Sequence, residues 1–407
     1  MSKTFCPLPF NHAYIRPNGQ WKPCCRFRKN NTDPIESTTI SEYKSLNQLL
    51  NTSNSLQNIR KKMIAGEKLP GCISCYMEEQ ANGKSMRTNE IEKWGGYDQF
   101  VHKQPQVTNI ELTFGNYCNL SCRICAGELS TSWHKDEQAL RPFYPERHGI
   151  TTRVNVMKKW NTADFEHLTK LKITGGEPCL HPDFLAFLDS IEDHVSQNIT
   201  LELFTNSSFV PKQHLLDKLL KFKQTNIWLS IDGTGSVQEY SRHGSSWPVV
   251  EASARRWLEY QNSTTTVKVN LAPTVSLYNI HNICELIDWF LNLREQVLQA
   301  PKQPASCNWN VTTWPRYLDI RLLPQKQTVI EQITAYRDTI SGYPNYQELL
   351  SRVLGRLQET GNEQDLVQFV EYNKDLDLLR DQQFDQVLPE LCQQIQQLWQ
   401  KHPGRLK

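Results

Sequence analysis

The sequence predicts an α/β fold in the centre of the chain, preceded by a cysteine-rich segment and followed by a helical extension. Three observations lead to this prediction. Strand-like and helix-like segments alternate between residues 109 and 312, five cysteines lie within the first 75 residues, and leucines with helical spacing recur from Gln325 onward. Alternating strands and helices are typical of a parallel sheet with right-handed crossovers.

The strands of the central region are short and rich in apolar or β-branched residues. We expect them at residues 109–114, 171–174, 199–205, 226–231, 265–275 and 308–312. Helical periodicity appears at residues 182–194, 211–222, 249–260 and 279–293. These roughly six β–α units fit a partial (β/α)6 barrel as well as an open sheet, because periodicity does not separate the two.

The flanking regions differ from this pattern. Asn18-Gly19, between residues 14–16 and 21–23, predicts a tight β-hairpin near the N-terminus. Helices are expected at residues 328–341, 346–359, 363–379 and 384–402, and their leucine spacing indicates core packing rather than a cofactor site. We therefore expect three domains, at residues 1–100, 101–325 and 326–407.

Composition limits the class of protein. The 407 residues carry a net charge of +2 and are 38% hydrophobic, so neither nucleic acid nor an anionic membrane is an expected partner. The sequence has neither a secretory signal nor an apolar run long enough to span a membrane, which leads us to expect a cytoplasmic protein. In that reducing compartment, clustered cysteines indicate metal binding or catalysis rather than disulfides.

One cysteine group follows the first central strand. Cys118, Cys122 and Cys125 have three and then two residues between them, and no fourth cysteine follows in register. A closed structural zinc site takes four ligands, so a zinc fragment is an awkward alternative. Three thiolates on a four-iron cluster would leave one iron open for chemistry.

This Cys-x3-Cys-x2-Cys spacing after the first strand resembles the signature of the radical SAM enzymes. The resemblance implies a [4Fe–4S] cluster on the three cysteines, with S-adenosylmethionine chelated at the fourth iron. One electron, from a donor such as flavodoxin or ferredoxin, would yield methionine and a 5′-deoxyadenosyl radical that abstracts a substrate hydrogen. Ile124 stands where many members have an aromatic residue that packs on the adenine.

A second motif follows the next strand. Gly175, Gly176, Glu177 and Pro178 resemble the family's GGEP sequence. The resemblance implies that this backbone and the Glu177 carboxylate hold the methionine ammonium of the cofactor. Taken alone, the glycines would indicate only a strand–turn–helix junction.

Two weaker motifs follow in the family's order. Residues 204–208 (FTNSS) resemble its TNG position, with Ser207 in place of glycine, and residues 229–244 resemble its SIDG…R stretch. There Ser230 would bind the cofactor ribose and Arg242 its carboxylate. The structural alternatives are a surface ion pair for Arg242 and a turn or helix cap for Asp232.

The N-terminal cysteines resemble those of SPASM/Twitch auxiliary-cluster domains. The resemblance implies a second [4Fe–4S] cluster on Cys6, Cys24, Cys72 and Cys75, although Cys25 could replace Cys24. A zinc ribbon is the alternative, since Cys-x2-Cys pairs also suit zinc. No cysteine lies between Cys75 and Cys118, which favours a single-cluster, Twitch-like domain.

The motifs together predict a radical SAM enzyme, but they leave its substrate open. A peptide or protein is the first candidate, and a small alcohol or sugar is the second. The sequence assigns no catalytic acid or base. A non-catalytic metal-binding protein that retains the fold is the alternative from another class.

Overall fold

The computed structural model describes residues 3–28, 39–82, 84–147, 164–299, 306–308 and 310–406. The chain forms two compact units, each assembled from several segments. The first consists of Met1–Asn116, Arg153–Leu203 and Lys218–Thr225, and the second of Tyr117–Thr152, Phe204–Asp217 and Asn226–Lys407. The domain limits expected from the sequence, 1–100, 101–325 and 326–407, stay a prediction.

The first unit is built on a sheet. Its strands are β1 (His12–Ile15), β2 (Trp21–Lys22), β3 (Asn109–Thr113), β4 (Lys170–Thr174) and the first part of β5 (Thr200–Thr205). They lie in the order β2–β1–β3–β4–β5. The predicted hairpin is present, since β1 and β2 pair antiparallel, while β1, β3, β4 and β5 pair in parallel. The N-terminal hairpin therefore extends the parallel sheet rather than standing apart from it.

The two faces of this sheet differ in polarity. One face carries apolar side chains that are fully buried, namely Ile110, Leu112, Leu171, Ile173, Leu201 and Leu203. On the other face, Glu111 is in register with Tyr14 on one side and Lys172 on the other. Lys172 in turn is in register with Glu202. The alternation of a strand thus separates an apolar core face from a charged face.

Helices α1 to α9 are mostly short, and serine hydroxyls cap three of them. They are α1 (Leu8–Asn11), α2 (Leu46–Thr52), α3 (Asn54–Ile64), α4 (Ile73–Asn82), α5 (Met86–Trp94), α6 (Tyr97–Phe100), α7 (His134–Leu140), α8 (Phe184–Ser190) and α9 (Asp193–Ser196). All but α7 belong to the first unit. The hydroxyls of Ser45 and Ser53 accept from the backbone N–H groups of Gln48 and Leu56, which starts α2 and α3.

The second unit contains the remaining strands, β6 (Gln224–Leu229, most of which lies here), β7 (Val267–Leu271), β8 (Thr274–Val275) and β9 (Asn310–Val311). Strands β6 and β7 are neighbours, and β8 pairs in parallel with β9. The single strand predicted at 265–275 is wrong, because the chain leaves the sheet at Ala272-Pro273. Proline has no N–H to donate to a ladder, which explains why the break falls there.

The rest of the second unit is helical. Its helices are α10 (Gln213–Leu219, which ends in the first unit), α11 (Gly235–Ser241), α12 (Trp247–Asn262), α13 (Ile283–Val297), α14 (Lys326–Thr339), α15 (Pro344–Leu357), α16 (Glu363–Arg380), α17 (Phe384–Val387), α18 (Pro389–Gln394) and α19 (Gln396–Lys401). The helix predicted at 384–402 is divided into three, and Pro389 begins the second of them. The predicted α/β class, its parallel strands and the helical C-terminal region are confirmed. No helix formed by the described residues is long and apolar enough to cross a membrane.

Candidate metal and cofactor site

The three central cysteines lie in the second unit, in a segment without helix or strand. Their thiols are close enough to influence one another. Burial raises the pKa of Cys122, the positive charge of Arg242 lowers it, and Cys118 and Cys125 raise it further. Burial also raises the pKa of Cys125 to about 11, again with Cys118 adding to the effect. The structure thus gathers these three predicted ligands into one group, in which Cys122 is buried and Cys118 and Cys125 are partly exposed.

Side chains from the following residues hold this loop in shape. Its carbonyl groups lack the partners that a helix or strand would supply, and buried carbonyls need donors. The Ser132 hydroxyl donates to the Cys118 carbonyl at 2.8 Å, and the Ser130 hydroxyl donates to the Leu120 carbonyl at 2.5 Å. The Trp133 indole donates to the Cys122 carbonyl at 3.2 Å. Arg147 donates to the carbonyls of Arg123 and Cys125, the latter at 2.8 Å.

Arg242 lies beside the second cysteine. Its Nη1 is 3.9 Å from the Cys122 sulfur, and its Nε donates to the Asp232 carboxylate at 2.8 Å. Burial opposes the charged form of Arg242, but the Asp232 carboxylate outweighs it, so the pKa of Arg242 is raised. Asp232 is itself buried and accepts the Thr274 backbone N–H at 2.8 Å. The ion pair therefore orients a permanent positive charge towards a candidate cluster ligand.

The FTNSS segment contacts the first cysteine. Asn206 places its Nδ2 3.7 Å from the Cys118 sulfur and donates to the Asn119 side chain at 3.1 Å. Asn119 in turn donates to the Ser208 hydroxyl at 2.9 Å. Ser207 occupies the left-handed region with a φ of 57°, which is the conformation that favours glycine at the family's matching position.

Two further predicted cofactor residues lie in the second unit. Ser230 follows β6, and its backbone N–H donates to the Thr205 carbonyl at 2.8 Å. The side chains of Ser230 and Ile124 are both partly exposed, as a contact with a bound cofactor would require. Their roles towards the ribose and the adenine stay predictions.

The Gly175–Pro178 turn lies in the first unit, directly after β4. Gly175 has a φ of 85°, and a Cβ there would lie 2.1 Å from the Thr113 Cγ2 atom, so only glycine fits. Glu177 is 1% exposed, and its Oε1 accepts the Cys179 backbone N–H at 3.1 Å. The carboxylate thus caps the short helical turn that Pro178 begins. Whether Gly176 and this carboxylate also hold the cofactor ammonium stays a prediction.

The four N-terminal cysteines predicted to act together line one cavity of the first unit. Cys6, Cys24, Cys72 and Cys75 lie around it with Arg26 and Arg87. Burial raises the pKa of Cys6, of Cys24 and of Cys75. Arg87 donates to the Phe5 carbonyl at 2.8 Å and forms an ion pair with Glu79.

Cys25 is separated from this group. Its thiol donates to the Glu111 carboxylate, and burial followed by that negative charge raises its pKa to about 12. Glu111 also forms an ion pair with Lys172 at 2.9 Å on the charged face of the sheet. Adjacent residues have turned in different directions, and Cys24 is the one at the cavity.

The donor set suits an iron–sulfur cluster in kind and number, because four cysteines line one cavity with two guanidinium groups at its wall. Among the described residues, no three His, Cys, Asp or Glu side chains stand in an arrangement that would hold a metal ion as they are. Binding iron would require the buried thiols to lose their protons and move onto the metal, which couples binding to local rearrangement.

Several contributors to the site were not predicted from the sequence. Arg123 lies in the cysteine loop and Arg147 contacts it, while Asn206 belonged to the FTNSS motif without a role of its own. Asp232 was expected only as a turn or cap residue. Arg123 lies between two of the cysteines, and this position was its only sequence signal. Arg147 had no sequence signal, because only the tertiary structure brings it to the cysteine loop.

Comparison with known proteins agrees with these motifs. Residues 6–76 match the SPASM family, an iron–sulfur cluster-binding domain. The GTP 3′,8-cyclase of Sulfurovum sp. (strain NBC37-1) is 32% identical over 117 residues, which are 28% of this chain and 32% of that protein. The GTP 3′,8-cyclase of Aliarcobacter butzleri (strain RM4018) is 24% identical over 168 residues, which are 41% of this chain and 47% of that protein.

A solved structure, Streptococcus suis SuiB, aligns with a TM-score of 0.36 and 14% identity, covering 70% of this chain and 52% of that one. The chain spans between 32% and 55% of the length of the curated relatives that it matches. The chain thus resembles an iron–sulfur cluster-binding SPASM domain over residues 6–76, and GTP 3′,8-cyclases over part of its length.

Proposed function

We propose that the protein is a radical SAM enzyme whose cofactor-cleaving [4Fe–4S] cluster is held by Cys118, Cys122 and Cys125. The single observation that carries this proposal is the group of three neighbouring thiols in a loop supported by side-chain hydrogen bonds, with Arg242 directed at the Cys122 sulfur. Three thiolates leave one iron open, where S-adenosylmethionine would bind and supply a 5′-deoxyadenosyl radical for hydrogen abstraction.

The chain's own residues have defined tasks in this proposal. Arg242, fixed by Asp232, donates towards the Cys122 sulfur and offsets the negative charge of the thiolates. Asn206 does the same for Cys118 as a neutral donor. The turn formed by Gly175, Gly176, Glu177 and Pro178 resembles the family's ammonium-binding motif. In the second unit, Ile124 and Ser230 would contact the nucleoside of the cofactor.

The N-terminal unit would hold a second, auxiliary [4Fe–4S] cluster on Cys6, Cys24, Cys72 and Cys75. This proposal is supported by the shared cavity and by the family match over residues 6–76. Four thiolates leave no iron open, so this cluster would not cleave the cofactor. Cys25, held by Glu111, is not a ligand in this proposal.

The substrate that we propose is a peptide or protein, on the strength of the SIDG…R likeness and the SPASM domain. The curated relatives favour a second candidate, since their names describe an activity on GTP, a small molecule. We propose a cytoplasmic location and an electron donor such as flavodoxin or ferredoxin.

Production of 5′-deoxyadenosine tests the proposed activity. The protein is reconstituted anaerobically with iron and sulfide, then given dithionite and S-adenosylmethionine. We expect 5′-deoxyadenosine from the wild type and from the control Cys392→Ala, and none from a variant with Ala at positions 118, 122 and 125. If a fully reduced, spectroscopically intact cluster yields no product, the proposed activity is refuted, and a non-catalytic metal-binding protein remains as the alternative. Addition of short peptides or of GTP then shows which class of molecule stimulates product formation.

Metal analysis tests the auxiliary site. In the variant with Ala at positions 118, 122 and 125, we expect about four irons per chain to remain. Adding Cys24→Ala should remove them, whereas the matched change Cys25→Ala should leave them in place. One zinc per chain with almost no iron would contradict the proposal and support the zinc ribbon.

A further inference from the structure

The C-terminal helix α16 contacts the three-cysteine loop through one arginine. Arg123, which lies between Cys122 and Cys125, donates from Nη1 to the Asn373 side chain at 2.9 Å. Its Nη2 forms an ion pair with Asp377 at 2.5 Å. These partners are about 250 residues further along the chain, so the contact depends wholly on tertiary structure.

The Arg123 guanidinium is bound by several partners beside the three-cysteine loop. Arg123 is completely buried, its Nε donates to the Tyr240 carbonyl at 3.2 Å, and its charge lies 3.6 Å from the Tyr240 ring centroid. Its own backbone N–H donates to the Ser241 carbonyl at 2.8 Å. The guanidinium makes four hydrogen bonds in all, and together with the backbone bond they fix both the side chain and the backbone of Arg123.

A second contact joins the same helix to the same loop. Arg380, at the end of α16, lies 4.5 Å from the ring centroid of Trp133 and forms an ion pair with Asp136 at 2.8 Å. The Trp133 indole is the donor to the Cys122 carbonyl. The helix thus supports Cys122 from two directions, through Arg123 and through Trp133.

We propose that α16 is a positioning element for the three-cysteine loop, and that Arg123 and Asp377 hold the backbone of that loop in place while its cysteines take up iron. The inference rests on the proposed cluster site but extends it, because it assigns a role to the C-terminal extension, where the sequence indicated only packing. Neither residue touches the cofactor in this proposal, and both act through the loop backbone.

The test uses the full-length protein in two states. In the iron-free protein, hydrogen exchange of residues 117–130 is followed for Asp377→Asn and Arg123→Lys. Losing one charge-assisted contact is expected to speed exchange in this loop by roughly tenfold or more. Lysine keeps the charge of Arg123 but not its fork. Glu363→Gln, a charge-matched change at an exposed position of the same helix, should leave the loop unchanged.

In the reconstituted protein, the same variants should lose the iron that depends on Cys118, Cys122 and Cys125, and keep the N-terminal iron. Unchanged exchange in the loop, or exchange that rises equally along the whole chain, would overturn the inference. Exchange is measured without iron, so it tests the role of α16 independently of the proposed function. If the proposed function is wrong, the wild-type protein will fail to assemble the central cluster on reconstitution.

Discussion

Among the charge pairs of the second unit, the buried pair of Asp232 and Arg242 should cost the most folding stability when one partner is neutralised. The two side chains are 1% and 8% exposed, and their closest nitrogen–oxygen distance is 2.8 Å. In Asp232→Asn the amide keeps one oxygen for the Thr274 N–H but loses its charge. Arg242 then remains as a buried cation beside Cys122 without its carboxylate. Breaking such a pair by removing one partner costs about 3–5 kcal/mol.

The assay is equilibrium unfolding in urea of the protein without iron, where cluster assembly does not contribute. Glu348→Gln is the matched control, since Glu348 and Arg352 form an exposed i, i+4 pair that is worth roughly 0.5 kcal/mol. The double variant Asp232→Asn/Arg242→Met should recover most of the loss, because no buried charge remains. An Asp232→Asn protein as stable as the control would refute the reasoning.

Three other outcomes follow from single sites. Burial, and then the charges of Arg380 and Arg123, lower the pKa of His243 from 6.5 to about 4. The folding stability that neutral His243 provides above pH 6.5 should therefore be lost as the pH drops towards 4. The urea midpoint of unfolding of the variant His243→Gln should depend less on pH. Gly175→Ala should destabilise by about 2 kcal/mol or more, whereas Gly355→Ala, on an open helix face, should stabilise by about 0.5–1 kcal/mol, as thermal unfolding would reveal. Glu111→Gln should cost about 2 kcal/mol in the same measurement, because Lys172 loses its charged partner.

Local patterns predicted much of the architecture. The alternation in residues 109–114 and 199–205 is reproduced in β3 and β5 within one residue, because side-chain period and burial are set by neighbours in sequence. The face of α13 that carries Ile283, Ile287 and Phe290 is buried as its spacing indicated. Prediction was wrong where a proline interrupted the period, at Pro273 and Pro389, since the missing N–H outweighs hydrophobic patterning.

The candidate site was only partly readable. The cysteine spacings and the Gly175–Pro178 motif predicted a chemistry, because the donor type of cysteine and the conformational freedom of glycine are properties of the residues themselves. Asp232 is different: its carboxylate was expected to cap a turn, yet it holds Arg242 beside a thiol. The sequence contained Arg242 but not the direction in which it points.

The sequence by itself determined the α/β class, the two cysteine groups and the chemistry that thiols in those numbers support. Tertiary structure alone decided that Cys24 faces the cavity while Cys25 faces Glu111, and that β1 extends the sheet beside β3. It alone brought Asp377 to Arg123 across about 250 residues. The physical reason is range: period, propensity and ligand type act within a few residues, whereas the packing that turns each side chain comes from segments far away in the chain.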